Sequence, residues 1–199
     1  SNHDRFAGDR LWNQVQGNVA QYKLAAASYL LLPGTPFIYY GEEIGMAASN
    51  ALSGDHAIRT PMSWTADGNG FSSGSPFRSL SSNISTQNVA QQLTDAASLH
   101  RHYKTLLALR NSQIALRSGV YEGAWSNQKT MGYQRVAGNE KVMVILNYET
   151  ANAEVSVGSL VAGESWSPLA GTSNSGTVNN AGVMQISVPA QSFVVLKKN

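Results

Sequence analysis

Polar chemistry in this sequence rests on a few short clusters. Asn2-His3-Asp4 sets an amide, an imidazole and a carboxylate side by side, Glu42-Glu43 pairs two carboxylates, and Asp55, His56 and Arg59 share one segment. Glu42 and Glu43 invite an acid–base pairing, but neighbours on a strand point to opposite faces and cannot address one substrate together. One is expected to be hydrogen-bonded in the interior, the other held by a neighbouring loop. His56, His100 and His102 make no metal set, because residues two apart on a helix face different ways. Without cysteine, disulfides and thiolate metal sites are excluded. Taken alone, Asp4 reads as a solvated or helix-capping loop residue, His3 as a structural histidine and Arg59 as an exposed loop arginine in a surface ion pair.

These clusters have to be placed by two helices and a strand. Asn18 followed by Gln21 forms a capping pattern, and apolar spacing through Val19, Tyr22, Ala26, Tyr29 and Leu30 predicts a helix to about residue 32. Pro33-Gly34 stops it. Residues 36–40 then read as a strand apolar on both faces, as a covered parallel sheet requires, so the segment belongs to a repeating βα unit. A long Ser-, Gly- and Asn-rich region follows to residue 94, a length that in a compact domain points to function. Asp95 is expected to cap a second helix over 96–112, its inner stripe formed by Leu99, Tyr103, Leu106, Leu107 and Arg110. From Ser118 the periodicity becomes two. Strands are expected over 121–125, 130–136, 141–148, 153–157, 183–188 and 192–197, with a hairpin turn at 137–140, which suggests an antiparallel sandwich. Residues 170–180 read as a loop without hydrophobic anchors.

Aromatic side chains leave two readings open. Trp64, Phe71 and Phe77 could stack on sugar rings or anchor the long loop, and burial tendencies favour anchoring. Trp125 and Trp166 could form a carbohydrate-binding platform or pack in a core, and core packing is favoured.

Composition narrows the classes. Hydrophobic residues are 42% of the 199, enough for a core, while charged residues are only 13%, well below the roughly 25% of an average domain. Neutral polar surfaces of this kind suit uncharged ligands. A net charge of +2 without a basic run argues against nucleic acid, and no apolar stretch reaches the length of a membrane span.

Three segments in register resemble the α-amylase family, glycoside hydrolase family 13. Asn2-His3-Asp4 resembles its fourth conserved motif. Pro33-Gly34-Thr35-Pro36-Phe37-Ile38-Tyr39-Tyr40-Gly41-Glu42-Glu43-Ile44-Gly45-Met46 resembles its eighth barrel strand and the approach to it. Ile58-Arg59-Thr60-Pro61-Met62-Ser63-Trp64 resembles the segment after that strand in glucosidase-like and intermediate members. The second helix is similar to the last barrel helix, and the β-rich remainder to domain C, so the resemblance covers essentially the whole chain.

The resemblance implies an α/β part followed by an all-β part: the last strands and helices of a (β/α)8 TIM barrel over 1–117, then an antiparallel Greek-key β-sandwich over 118–199. It implies a retaining α-glucoside hydrolase acting on α-1,4 and perhaps α-1,6 bonds of starch or maltooligosaccharides. Asp4 would stabilise the transition state, His3 and Asn2 would bind the same sugar, and Arg59 would line that sugar's pocket, paired with a carboxylate. The nucleophile and the acid/base would lie upstream, on an N-terminal barrel portion that is this chain's expected partner, so the chain alone is expected to be inactive. Its opening on Ser1-Asn2-His3-Asp4, with no Met or lead-in, is read the same way. No cofactor is assigned; calcium would enter through the upstream part. The parent is expected to be secreted or periplasmic. The competing reading is a non-catalytic carbohydrate-binding or barrel-capping module.

Overall fold

The computed structural model describes residues 1–171 and 174–199. By contacts the chain divides into two compact units, Ser1–Tyr22 with Phe37–Thr105, and Lys23–Pro36 with Leu106–Asn199. Two of the three cuts fall inside a helix, so this is a grouping of contacts and differs from a division of the chain at residue 117.

In the first unit the helices start where polar side chains take up free backbone N–H groups. After the short α1 (Leu11–Gln14), Asn18 Oδ1 accepts the Gln21 N–H at 3.1 Å and opens α2 (Val19–Leu30). α3 (Gly54–Ile58) and α4 (Val89–Thr94) interrupt the long loop region, and Asn88 caps α4 through the Gln91 N–H at 3.0 Å. α5 runs Leu99–Ser112. Its cap is Ser98, whose Oγ accepts the Arg101 N–H at 3.1 Å; Asp95 instead accepts the Ala97 N–H in the preceding turn. The expected start at residue 96 is corrected accordingly. Ser98→Ala is expected to cost about 1 kcal/mol, read as a lower urea midpoint at unchanged slope. An unmoved midpoint would return the cap to Asp95.

The expected strand over 36–40 is not formed. Residues 35–39 carry no regular secondary structure and join no ladder, and every strand pair among the described residues is antiparallel. A parallel strand exists only through neighbours that supply its hydrogen bonds, and this stretch has none among the described strands. Phe37 is accordingly 85% exposed. Glu42 and Glu43 lie in a 3-10 turn, Glu42–Ile44, bracketed by Gly41 (φ 79°) and Gly45 (φ 74°). A Cβ on Gly41 would stand 2.1 Å from Met46 Sδ, so both the backbone angle and the space require glycine.

Polar staples hold the long loop region. Asn83 accepts the Ala47 N–H at 2.9 Å and donates to Gly45 O at 2.9 Å, and Ser81 Oγ donates to Ala47 O at 2.8 Å. The aromatics do not anchor it: Trp64, Phe71 and Phe77 are 43%, 49% and 93% exposed. Val19, expected on the inner face of α2, is exposed as well. The aromatic contacts of the unit centre on Tyr22, which lies 6.1 Å from the Trp12 ring and 6.5 Å from the Tyr103 ring.

In the second unit α6 (Ile114–Ser118) leads into eight strands: β1 (Val120–Asn127), β2 (Thr130–Ala137), β3 (Glu140–Asn147), β4 (Ala153–Val157), β5 (Ser165–Ala170), β6 (Gly176–Thr177), β7 (Met184–Val188) and β8 (Ser192–Lys198). One sheet has the order β1-β2-β3-β8-β5-β6, and β4 pairs with β7 in a second. The β2–β3 hairpin closes with Ala137 opposite Glu140, and Gly138 takes φ 58° at the first central position, where such a turn needs glycine. Alternate residues of both sheets meet in one core that includes Met143, Ile145, Val155, Trp166, Ile186 and Leu196, the packing of a sandwich.

β5 and β6 escaped the periodicity. Pro168 has no N–H to give a ladder, and the β5–β8 register shifts between Pro168 and Ala170. The stretch 170–180 is also anchored, by Val178 at 2% exposure; Thr172 and Ser173 of that stretch lie outside the described residues. Trp166 is wholly buried and belongs to the core.

Candidate active site

Arg59 organises the polar cluster of the first unit. It follows α3 directly, so its direction is set by that helix's last turn. Its Nε donates to His3 O at 2.6 Å, and its Nη2 donates to Asp4 Oδ1 at 2.8 Å and to Asp55 Oδ2 at 2.9 Å. His3 Nε2 lies 3.3 Å from Asp4 Oδ2. Asn2 Oδ1 accepts the Asp4 backbone N–H at 2.8 Å, which turns the segment and aims the Asp4 side chain. Asp55 Oδ1 accepts the Arg5 N–H at 2.8 Å. That backbone bond first, with Arg59, His56 and His3 adding to it, holds the Asp55 carboxyl below the ordinary aspartate value.

The four residues singled out in the sequence therefore meet. Asp4, His3 and Arg59 join through side-chain and backbone contacts, while Asn2 acts on the backbone of Asp4. Asp55 joins the same guanidinium. Two carboxylates on one guanidinium leave the cluster a net charge of −1 with His3 neutral. About a third of the Asp4 side chain is exposed.

Beside the cluster is a cavity of about 260 Å³, lined by Tyr40, Arg59, Met62, Phe71, Phe77 and Arg78 among others. It offers one cationic edge and an aromatic wall. Tyr40 is fixed there by a residue the sequence reading passed over. Arg10 is 1% exposed, with its guanidinium carbon 4.4 Å from the Tyr39 ring centre and 4.6 Å from that of Tyr40. Arg10 Nη1 also donates to Tyr40 O at 2.5 Å. Tyr39 and Tyr40 donate to Ile58 O (3.2 Å) and Thr60 O (2.6 Å), tying their stretch to the segment that carries Arg59. Burial, with the Tyr40 ring beside it, pushes the Tyr39 phenol up to about 12, so it remains a donor. A cation–π partner of this kind leaves no local pattern; only the adjacent Tyr39-Tyr40 pair hinted at it.

Glu42 and Glu43 stay apart from this chemistry. Glu42 is buried and accepts from Tyr103 Oη at 3.1 Å and Ser1 Oγ at 2.7 Å, while its carbonyl accepts from Tyr22 Oη at 2.7 Å. Burial raises the Glu43 carboxyl above its ordinary value, opposed by backbone N–H groups.

The chain's acidic groups were tested against a calcium site. Among the described residues no group of three or more His, Cys, Asp or Glu is placed to hold a metal ion. Both Asp67 carboxylate oxygens are taken up by Thr65 and Asn69 in a local turn. Among the described residues no helix is long and apolar enough to cross a membrane.

Comparison with known proteins gives a consistent result. The family described as "Alpha amylase, catalytic domain" matches residues 1–119. A probable alpha-glucosidase of Rhizobium meliloti is 34% identical over 166 residues, which cover 74% of this chain and 30% of that protein. Alpha-amylase 3 of Dictyoglomus thermophilum is 35% identical over 153 residues, covering 73% and 28%. The crystal structure of alpha-amylase from H.orenii superposes with a TM-score of 0.74 at 26% identity, over 100% of this chain and 39% of that one. The chain thus spans less than a third of the length of these curated relatives. Motifs, cluster and matches agree that the chain belongs to the α-amylase family, glycoside hydrolase family 13.

Proposed function

We propose that this chain supplies part of the active site of a retaining α-glucoside hydrolase, with the nucleophile and the acid/base contributed by residues outside it. Residues 1–117 would complete a TIM barrel with an N-terminal portion of the parent. Residues 118–199 would be its Greek-key domain C. The substrate would be an α-1,4-glucan or maltooligosaccharide, with α-1,6 bonds as a second class, and the parent would be secreted or periplasmic.

The observation that carries the proposal is the Asp4 carboxylate held by Arg59 with His3 against it, about a third of its side chain exposed. Glycoside hydrolysis passes through an oxocarbenium-like state. A cluster with net negative charge suits the positive charge that develops on the sugar, and fixed groups stabilise it without reorganising. In this mechanism Asp4 accepts hydrogen bonds from the hydroxyls of the reacting sugar, bonds that strengthen as the ring flattens. His3 hydrogen-bonds the same sugar. Arg59 holds Asp4 in place.

Retaining chemistry needs two carboxyl groups about 5 Å apart on either side of the scissile bond. Asp4 and Asp55 do not serve as that pair, since both are committed to the Arg59 guanidinium. The test is reducing-sugar release from starch and isomaltose by the 199-residue chain and by the longer protein. No turnover is expected from the chain alone, with glucose or maltooligosaccharides from the longer protein. Family-level turnover by the chain alone would overturn the division of labour. The product profile sorts α-1,4 from α-1,6 cleavage.

A further inference from the structure

The edge of the second unit's larger sheet carries a surface that the Asp4 chemistry does not use. Two cavities, of about 310 and 380 Å³, share Trp125 and Ser156 and so adjoin at that pair. Each is within the size range of small-ligand sites, about 300–1,000 Å³. The tryptophan between them is displayed by two backbone devices. The β1–β2 register shifts between Glu122 and Trp125, with Gly123 at φ 55°, a bulge that re-aims the next side chain. Trp125 then pairs with Gly132, where an added Cβ would stand 2.5 Å from Trp125 Cζ2. The ring therefore lies on bare backbone, seated by the absence of a side chain. One part of Trp125 packs against the sandwich core, and the remainder borders both cavities. Trp166, by contrast, is wholly buried.

What surrounds the indole is polar: neutral on one side, with Lys129, Glu149 and Glu154 among the residues on the other. The 380 Å³ cavity has Gln134, Ser156 and Ser159 on its walls and no charged side chain. In the 310 Å³ cavity the polar groups are Asn127, Gln128 and Thr130, with Glu154 at its side. Its one cation, Lys129, stands 3.7 Å from Glu149. Gln128 sits at the hairpin tip with φ 50°, which presents its amide at the cavity lip. An indole face flanked by amides and hydroxyls matches a pyranose ring, apolar on its faces and hydroxyl-bearing at its rim. It does not match an anion, a peptide strand or a lipid.

We infer that the Trp125 groove is a second carbohydrate site, binding a neutral oligosaccharide by stacking on the indole with hydrogen bonds from Gln128, Asn127 and Gln134. The inference does not rest on the Asp4 site, because every residue it uses belongs to the second unit.

The test follows the Trp125 indole N–H signal by NMR in the 199-residue chain during titration with maltoheptaose, cellohexaose and oligogalacturonate. The neutral sugars, or one of them, are expected to shift that signal saturably, with dissociation constants in the millimolar range or tighter. Trp125→Ala should weaken binding by calorimetry at least about tenfold. Gln128→Gly, which suits the backbone angle and cannot unfold the hairpin, should weaken it several-fold. An unmoved Trp125 signal with both neutral sugars overturns the proposal, and so does an equal response to oligogalacturonate. A sugar that shifts other signals while sparing Trp125 overturns it too, and leaves the Asp4 reading standing.

Discussion

Asp4→Asn is expected to lower kcat of the longer enzyme on maltooligosaccharides by about 10²–10³-fold, the range for removing one preorganised stabilising group, with little change in KM. The substitution keeps the size of the side chain and removes its charge. What is lost is the acceptor that strengthens when the sugar becomes cationic, so the effect falls on the transition state. Asp55→Asn is the internal control. It removes the other carboxylate on Arg59 Nη2, at 2.9 Å, from an ion pair that is exposed to water and screened by it. Its effect on kcat should therefore stay under about tenfold.

Arg59→Lys separates charge from geometry. Arg59 reaches His3 O, Asp4 and Asp55 from two nitrogens of one rigid plane. An ammonium keeps the charge but cannot hold three acceptors in that arrangement. Lysine should thus lose most of what alanine loses. If Asp4→Asn and Asp55→Asn gave equal, small effects, Asp4 would be a structural partner of Arg59 and the transition-state role would fall.

The sequence made legible what is local or periodic. Asn18 and Gln21 announced α2, the period-two runs located β2, β3, β4, β7 and β8 to within a residue or two, and Gly138 marked a hairpin. The cluster at Asn2-His3-Asp4 and Arg59 was legible only through resemblance, because a carboxylate and a guanidinium fifty-five positions apart share no pattern. The strand at 36–40 failed for a different reason. Its apolar run matches the pattern of a covered parallel strand, but pairing is a property of neighbours, and no described strand pairs with it. β5 was hidden by Pro168, and the role of Arg10 by the fact that its partners are two aromatic faces and a backbone carbonyl.

Buried arginines that bind carbonyls were the least legible feature, and they carry the second large effect. Arg110 on α5 and Arg135 on β2 are 5% and 1% exposed. Arg110 Nη1 donates to Leu30 O and Leu32 O, each at 2.6 Å, and its Nη2 to Gly34 O. Arg135 donates to Leu31 O at 3.0 Å and Gly119 O at 2.9 Å. A helix leaves its last carbonyls without intrahelical partners, and its C-terminal end attracts positive charge. The two guanidinium groups meet both needs at the end of α2, where Pro33 prevents the chain from continuing the helix. Burial draws both guanidinium pKa values down, and Arg110 adds to the effect on Arg135. Arginine remains charged under such a shift.

Arg110→Met should therefore destabilise the chain by about 3 kcal/mol, since hydrogen bonds to a charged group contribute about 1.5–3 kcal/mol. Three carbonyls lose their donor at once; that of Leu30 is buried, and a buried unmet acceptor costs about 1–3 kcal/mol. Arg135→Met should cost less, because Arg135 Nε already has no partner and its loss frees fewer acceptors. Urea unfolding decides the order: both midpoints fall at constant slope, Arg110→Met further. A loss under about 1 kcal/mol for Arg110→Met would mean that water reaches Leu30, Leu32 and Gly34, and that the end of α2 is held by packing alone.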